Sequence, residues 1–291
     1  MDITNKAMLV SLTIRAWSGA KIDKQVSQDV ADQHGAERDA GHYHKRLVGK
    51  DALADIKTIC GEARTTHYKY TLPWSQDGAR ILAAAMHAKY SEEMRTIRDK
   101  FELAVKSFIQ DYAYQVGIAR NRLGAMFRDQ DYPEPGEIEA KFGWETNVFP
   151  IPSGDDFRVN LSKDMTAAIK ADIEAASNAA IKAATTSLFE RVTKTIGHMA
   201  ESLEEYAEVV EDGKVKKINP FRDSVVGNME ELVELLPALN ITGDTVLTNV
   251  TNDIKAKLLK GTAQDLRQDT NLRKMVAKDA RKILEDMEGY V

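Results

Sequence analysis

The chain has 291 residues, 43% of them hydrophobic and 29% charged, with a net charge of −5. That is enough apolar material for one large or two average domains, and the lack of any apolar run of about 18 residues excludes a membrane-spanning helix. One cysteine, Cys60, excludes an internal disulfide and fits a reducing compartment, the cytoplasm. Asp2 stands early and no small-residue cleavage site follows, so no signal peptide is expected. The acidic excess argues against wholesale coating of nucleic acid but leaves room for a local basic patch.

Residues 8–17 alternate, with Met8, Val10, Leu12, Ile14 and Ala16 on one side, which predicts a strand. Short helices are expected over 21–33, 36–48 and 51–68, separated by Gly35 and Gly49. Leu72-Pro73-Trp74-Ser75 reads as a helix entry, with Ser75 or Asp77 as the cap. Beyond it Tyr90, Met94, Ile97, Phe101, Ala104, Phe108 and Tyr112 recur by threes and fours, which predicts a helix from 77 to 128. At 1.5 Å per residue it would be about 75 Å long. Asp131-Tyr132-Pro133-Glu134-Pro135-Gly136 ends it, since proline cannot continue a helix.

Trp144–Phe149 and Phe157–Leu161 read as the two strands of a hairpin, to which the N-terminal strand can add. A second long helix is expected from Ser162 to Val210, closed by Asp212-Gly213. Its apolar positions step by about 3.75 residues, longer than the 3.5 of a left-handed coiled coil. Three shorter helices follow: 220–236 up to Pro237, 245–260 capped by Asp244, and 270–288 capped by Asp269 or Thr270. The expected fold is mainly α (α+β), with two long antiparallel helices bracketing a small β-hairpin or sheet and a helical C-terminal region. The expected divisions are 1–75, 76–213 with a β insertion at 140–161, and 214–291. Long helices bury only a stripe each, so a homo-oligomer is expected.

Catalytic and metal signatures are sparse. His42 and His44, with His34, His67 and Cys60 nearby, would supply metal ligands on a strand. On the helix expected here, positions i and i+2 point about 200° apart, so no metal is assigned. Cys60 and His67 stand seven residues apart, about 10 Å on a helix, too far for a nucleophile and its base. Neither GxxxxGK[ST] nor GxGxxG occurs, so the chain is not itself an ATPase. No catalytic residue and no cofactor is assigned, and a non-enzymatic role is expected.

Two surfaces stand out instead. Arg64, His67, Tyr68, Lys69, Tyr70, Trp74 and Arg80 mix aromatic and basic side chains just before the first long helix. From Lys255 to Lys282 nine cations, among them Lys274, Lys278, Arg281 and Lys282, stand against Asp265, Asp269 and Asp279. This segment suits a phosphate backbone, an acidic protein face such as Glu201, Glu204, Glu205, Glu208, Glu211 and Asp212 of a neighbouring subunit, or simply a solvated helix surface.

Several stretches together resemble a known family: Leu9-Val10-Ser11-Leu12-Thr13-Ile14-Arg15-Ala16-Trp17-Ser18, Ala40-Gly41-His42-Tyr43-His44-Lys45, Ala63-Arg64-Thr65-Thr66-His67-Tyr68, Thr71-Leu72-Pro73-Trp74-Ser75-Gln76-Asp77-Gly78-Ala79-Arg80-Ile81-Leu82, Asp155-Asp156-Phe157-Arg158-Val159 and Phe221-Arg222-Asp223-Ser224-Val225-Val226. The chain is similar over most of its length to a family of proteins of tailed bacteriophages, prophages and some plasmids. Its members are often encoded near MoxR-type AAA+ ATPases and von Willebrand factor A proteins. The resemblance implies a phage origin and an ATPase partner in the host cytoplasm, and carries over no catalytic residue. The expected function is an oligomer-forming assembly or adaptor protein, with single-stranded DNA binding or annealing as the alternative.

Overall fold

The computed structural model describes residues 3–75, 78–156, 162–211 and 214–290. It is 66% helix and 12% strand, which makes the fold mainly α with a small antiparallel sheet. The chain forms two compact units that interleave in sequence: Met1–Ser11, Tyr70–Ala88 and Val148–Val291 in the first, Leu12–Lys69 and Lys89–Asn147 in the second.

The strand expected at the N-terminus is β1 (Ala7–Arg15). In the first unit it pairs antiparallel with β5 (Arg80–Ala83), Leu9 opposite Ile81, and β5 pairs with β4 (Thr71–Pro73). Leu9 and Val10 are both buried, as are Ile81, Leu82 and Ala83 in a row, so both faces are covered here and the alternation weakens. The helix entry expected at 72–75 is therefore incorrect, the expected long helix begins at His87, and Asp77, the other expected cap, lies outside the described residues. The run Ile81-Leu82-Ala83 is apolar without a helical period, and it satisfies its backbone in the sheet.

The first unit is built on α5 (Lys163–Glu205), whose N-cap Ser162 accepts from the Met165 amide at 3.4 Å. It packs against α9 (Thr270–Met287) and α6 (Ser224–Leu239), and touches β4. Leu188, Val192, Ile196 and Met199 bury the helix's second half, and Ala200 and Ala280, both 0% exposed, provide the small side chains that close α5–α9 packing needs.

α5 stops at Glu205, short of the expected 210. The β-branched Val209 and Val210 belong to β7 (Ala207–Glu211), which pairs antiparallel with β8 (Lys214–Ile218), Glu208 opposite Lys217. Asp212 and Gly213, expected as the helix stop, lie outside the described residues. α6 begins at Ser224 instead of 220, after a left-handed Asn219 (φ 46°), and runs through Pro237 to Leu239. Leu235, Leu236 and Leu239 are at most 1% exposed, and their burial carries the last turn past the missing proline N–H.

Asp244 caps α7 (Thr245–Asp253) by accepting from the Val246 and Leu247 amides. A π turn at Ile254–Leu258 continues it, and α8 (Ala263–Gln268) opens on a Thr262/Asp265 capping box. Asp269 caps α9 as expected, accepting from the Asn271 and Leu272 amides.

In the second unit β2 (Ala20–Ile22) pairs with β3 (His44–Arg46), Ile22 opposite His44. The helix expected over 36–48 is absent, and β3 with the loop before it takes that place; α1 (Lys24–His34) precedes it and α2 (Ala54–Tyr70) follows. α3 (His87–Leu123) is 37 residues long, about 55 Å at 1.5 Å per residue. It ends at Leu123 and not 128, because Gly124 turns left-handed (φ 51°) into a 3-10 turn. α4 (Pro135–Glu139) opens on its proline, and β6 (Gly143–Phe149) lies beside β1.

The other half of the expected hairpin, Phe157–Leu161, lies outside the described residues. Leu53, Ile56 and Cys60 of the α2 region close on Phe101, Val105 and Phe108 of α3 to make this unit's core. Gly19 is required there: its φ is 68°, and a Cβ would stand 2.8 Å from Leu53 Cδ1 and 2.9 Å from Val48 Cγ2. The two long helices thus belong to different units, and each finds core partners inside its own.

Candidate interaction surfaces

The aromatic and basic residues that adjoin in sequence divide between the units. Arg64, His67, Tyr68 and Lys69 lie on α2 in the second; Tyr70, Trp74 and Arg80 belong to the first. His67 is buried, with Nδ1 2.8 Å from the Tyr90 hydroxyl, and desolvation pushes the Tyr90 phenol up to about 12. Lys69 reaches Glu93 at 3.9 Å. Arg80 donates to Thr71 Oγ1 at 2.7 Å and to the Thr71 carbonyl at 3.1 Å, holding β4 to β5. Tyr70 is fully buried and Trp74 half-buried, which leaves Arg64 and Tyr68 as the exposed members.

The basic C-terminal segment also divides, by role. Arg273 is buried; its guanidinium donates to the Leu266 and Arg267 carbonyls at 3.0 and 3.2 Å and lies 4.7 Å from the Tyr206 ring centre. Arg281 makes a bidentate pair with Glu204, Nε to Oε1 at 3.0 Å and Nη2 to Oε2 at 2.7 Å. That hydrogen bond holds the Glu204 carboxyl below its usual range. The acidic face of α5 expected to meet a neighbouring subunit is thus met, at Glu204, by Arg281 of the same chain. Lys274, Lys278 and Lys282 remain exposed in a line on α9, one turn or about 6 Å apart.

Among the described residues, a buried cluster of charges gathers around Lys45. Lys45, 1% exposed, donates to Asp23 Oδ2 and Asp131 Oδ2, both at 2.6 Å, and to the Met126 carbonyl at 3.0 Å. All three ammonium hydrogens are committed, so Lys45 has none left for substrate and no lone pair to act as a nucleophile. Lys21 reaches the other Asp131 oxygen at 2.7 Å.

The Lys45 hydrogen bond holds the Asp23 carboxyl below its usual value. Burial would raise Asp131, but the bonds from Lys21 and Lys45 outweigh it and lower it. Burial would likewise lower Lys45, and the two carboxylates raise it instead. Nothing local marks this triad, because its members lie 22 and 86 positions apart in sequence.

His34 and His42 line one cleft beside α1, with a volume of about 360 Å³, together with Ser27, Val30 and Tyr43. His44 stands in β3, so the helical argument that separated His42 from His44 does not apply. Among the described residues no three His, Cys, Asp or Glu side chains gather to hold a metal ion. Cys60 is 3% exposed, and burial pushes its thiol up against the opposing charge of Arg64. No helix among the described residues is long and apolar enough to cross a membrane. No family model, no curated protein and no solved structure matches the chain.

Proposed function

We propose that this chain is a non-enzymatic, oligomer-forming assembly or adaptor protein of phage origin, acting in the host cytoplasm with a MoxR-type ATPase as partner. The phage origin and the ATPase rest on the family resemblance. The assembly reading rests on the first half of α5: from 163 to 180 no residue is buried, and Met165 is 55% exposed. Ala167, Ala168, Ala171, Ala175 and Ala176 let a neighbouring backbone approach this stretch closely. Within the chain, Ser177 and Lys170 of this stretch make polar contacts to the turn at 152–156. A helical segment that buries no side chain is marginal in water, and a second chain laid along it supplies the burial. Sedimentation of the full chain over a roughly hundredfold concentration range should give a mass above the monomer's 32.4 kDa. A monomer throughout overturns the reading.

A second reading, single-stranded DNA binding, is favoured by the line of Lys274, Lys278 and Lys282. Three phosphate contacts predict a slope of about −2 in log affinity against log salt on a single strand. Reversing the three lysines to Glu should abolish retention and leave helicity unchanged. Equal retention by the reversed protein removes these lysines from any DNA role.

A further inference from the structure

We infer that the cleft between α3 and β6 in the second unit binds one nucleotide, its base against Trp144 and its phosphate on Arg95 and Arg98. This goes beyond the adaptor reading and does not depend on it. Tyr90, Ser91, Met94, Arg95 and Arg98 of α3 line the cleft on one side, Trp144 and Thr146 of β6 on the other, around a volume of about 210 Å³. Drug-sized sites run to about 300–1,000 Å³, so this one suits a single ring system with its charged group held at the rim.

The indole is fixed in advance. Its ring centre lies 5.7 Å from that of Phe101, a core residue 3% exposed, and its Nε1 donates to Thr146 Oγ1 at 3.3 Å. A half-buried aromatic held this way offers stacking area at little cost in lost freedom. Stacking on an aromatic side chain tolerates any base, because every base has a π face.

The charges beside it are left over from folding. Arg98 pairs with Glu102 at 2.7 Å on the exposed face of the helix, more than half of each side chain in water. Arg95, three residues earlier and on the same side of α3, has no ion-pair partner among the described residues. Glu102 offsets one guanidinium, and the charged residues that line the cleft itself are Arg95 and Arg98. Two planar forks a turn apart match the oxygens of a phosphate, and the Ser91 and Thr146 side chains place hydroxyls where a base edge or a sugar would lie. A bare anion would leave the indole unused, and an uncharged aromatic would leave Arg95 unused.

Fluorescence titration of the full chain tests this with four probes: thymidine 5′-monophosphate, a twelve-residue oligothymidylate, thymidine, and inorganic phosphate. Trp17 and Trp74 also emit, so the signal is the part of the quench that a Trp144→Phe variant loses. Both phosphorylated thymidine probes should quench it, and thymidine or phosphate alone should bind at least tenfold more weakly. Arg95→Glu, at an exposed position, should weaken both nucleotide probes at least tenfold with an unchanged circular dichroism spectrum.

Equal affinity for the monophosphate and the oligonucleotide assigns the cleft to a free nucleotide. Much tighter binding of the oligonucleotide assigns it to a nucleotide within a single strand. The inference is overturned by no Trp144-dependent quench with any probe, by phosphate matching the nucleotide, or by nucleotide binding that survives Arg95→Glu. It is overturned too if reversing Lys274, Lys278 and Lys282 alone removes all binding.

Discussion

Lys45→Met is expected to destabilise the second unit by about 3–5 kcal/mol, the cost of removing one partner from a buried ion pair. Methionine matches the length of the lysine stem, so little volume is lost. Asp23, 5% exposed, then faces Asp131 with no cation between them. The pH dependence separates this cause from ordinary misfit.

In the wild type both carboxyls are held below their unfolded values. Their contribution is therefore complete above about pH 4 and lost as acid protonates them. Lys45 is raised, so its contribution is complete below about pH 10 and lost only as pH climbs through its folded value. In the variant an unpaired buried carboxylate prefers its proton, and stability should rise as pH falls from 7 to 5. Urea unfolding at both pH values measures the two slopes. A loss below about 1 kcal/mol, or a variant whose slope matches the wild type's, removes the triad from its role in holding α1, β3 and the 3-10 turn at Asp129–Asp131 together.

The second large effect contrasts two isoleucines on one helix. Ile196 of α5 is 0% exposed in the α5 core, and Ile196→Ala should cost about 2–5 kcal/mol through lost burial and the cavity left behind. Ile173, on the same helix within the stretch that buries no residue, should lose no more than about 1 kcal/mol when changed to Ala in the dissociated chain. If the oligomer covers this stretch, Ile173→Ala should instead lower the apparent association constant. Thermal unfolding at low and high protein concentration separates the two situations. Equal large losses at both positions under dilute conditions would mean that the first half of α5 is packed within the monomer.

What could be read in the sequence was local. Asp244 and Asp269 were legible as caps because the cap and its amides lie within three residues. β1 was legible from its alternation. The stretch Ile81-Leu82-Ala83-Ala84-Ala85 was not, since an unbroken apolar run fits a buried strand or a helix equally well, and tertiary pairing with Leu9 decided it. Val209 and Val210 continued a helical spacing by chance, and their β-branching was the signal that should have carried more weight.

The sites were harder. Nothing in the sequence separates Arg95 and Arg98 from the other charges on the exposed face of α3, where Arg98 pairs with Glu102. Trp144 was legible as a strand residue, but its position against α3 depends on a fold that no spacing encodes. The basic run from Lys255 was visible as charge; that Arg273 and Arg281 serve the fold follows from burial and from Glu204, nearly eighty residues away.

The interleaving of the two units bears on how the chain emerges from the ribosome. The second unit has all of its residues once Asn147 is synthesised, whereas the first needs segments up to Val291. At about 5–20 residues per second, the remainder takes roughly 7–30 s to appear. For the first part of that interval, until Leu239 is reached, Val10, Ile81 and Leu82 are already synthesised and the α5 and α6 segments that pack on β4 and β5 are not yet complete. A short antiparallel sheet with an uncovered apolar face is a substrate for holdase chaperones and for pairing with nascent neighbours. Expression yield should accordingly respond to chaperone level and to synthesis rate more than to the stability of the finished fold.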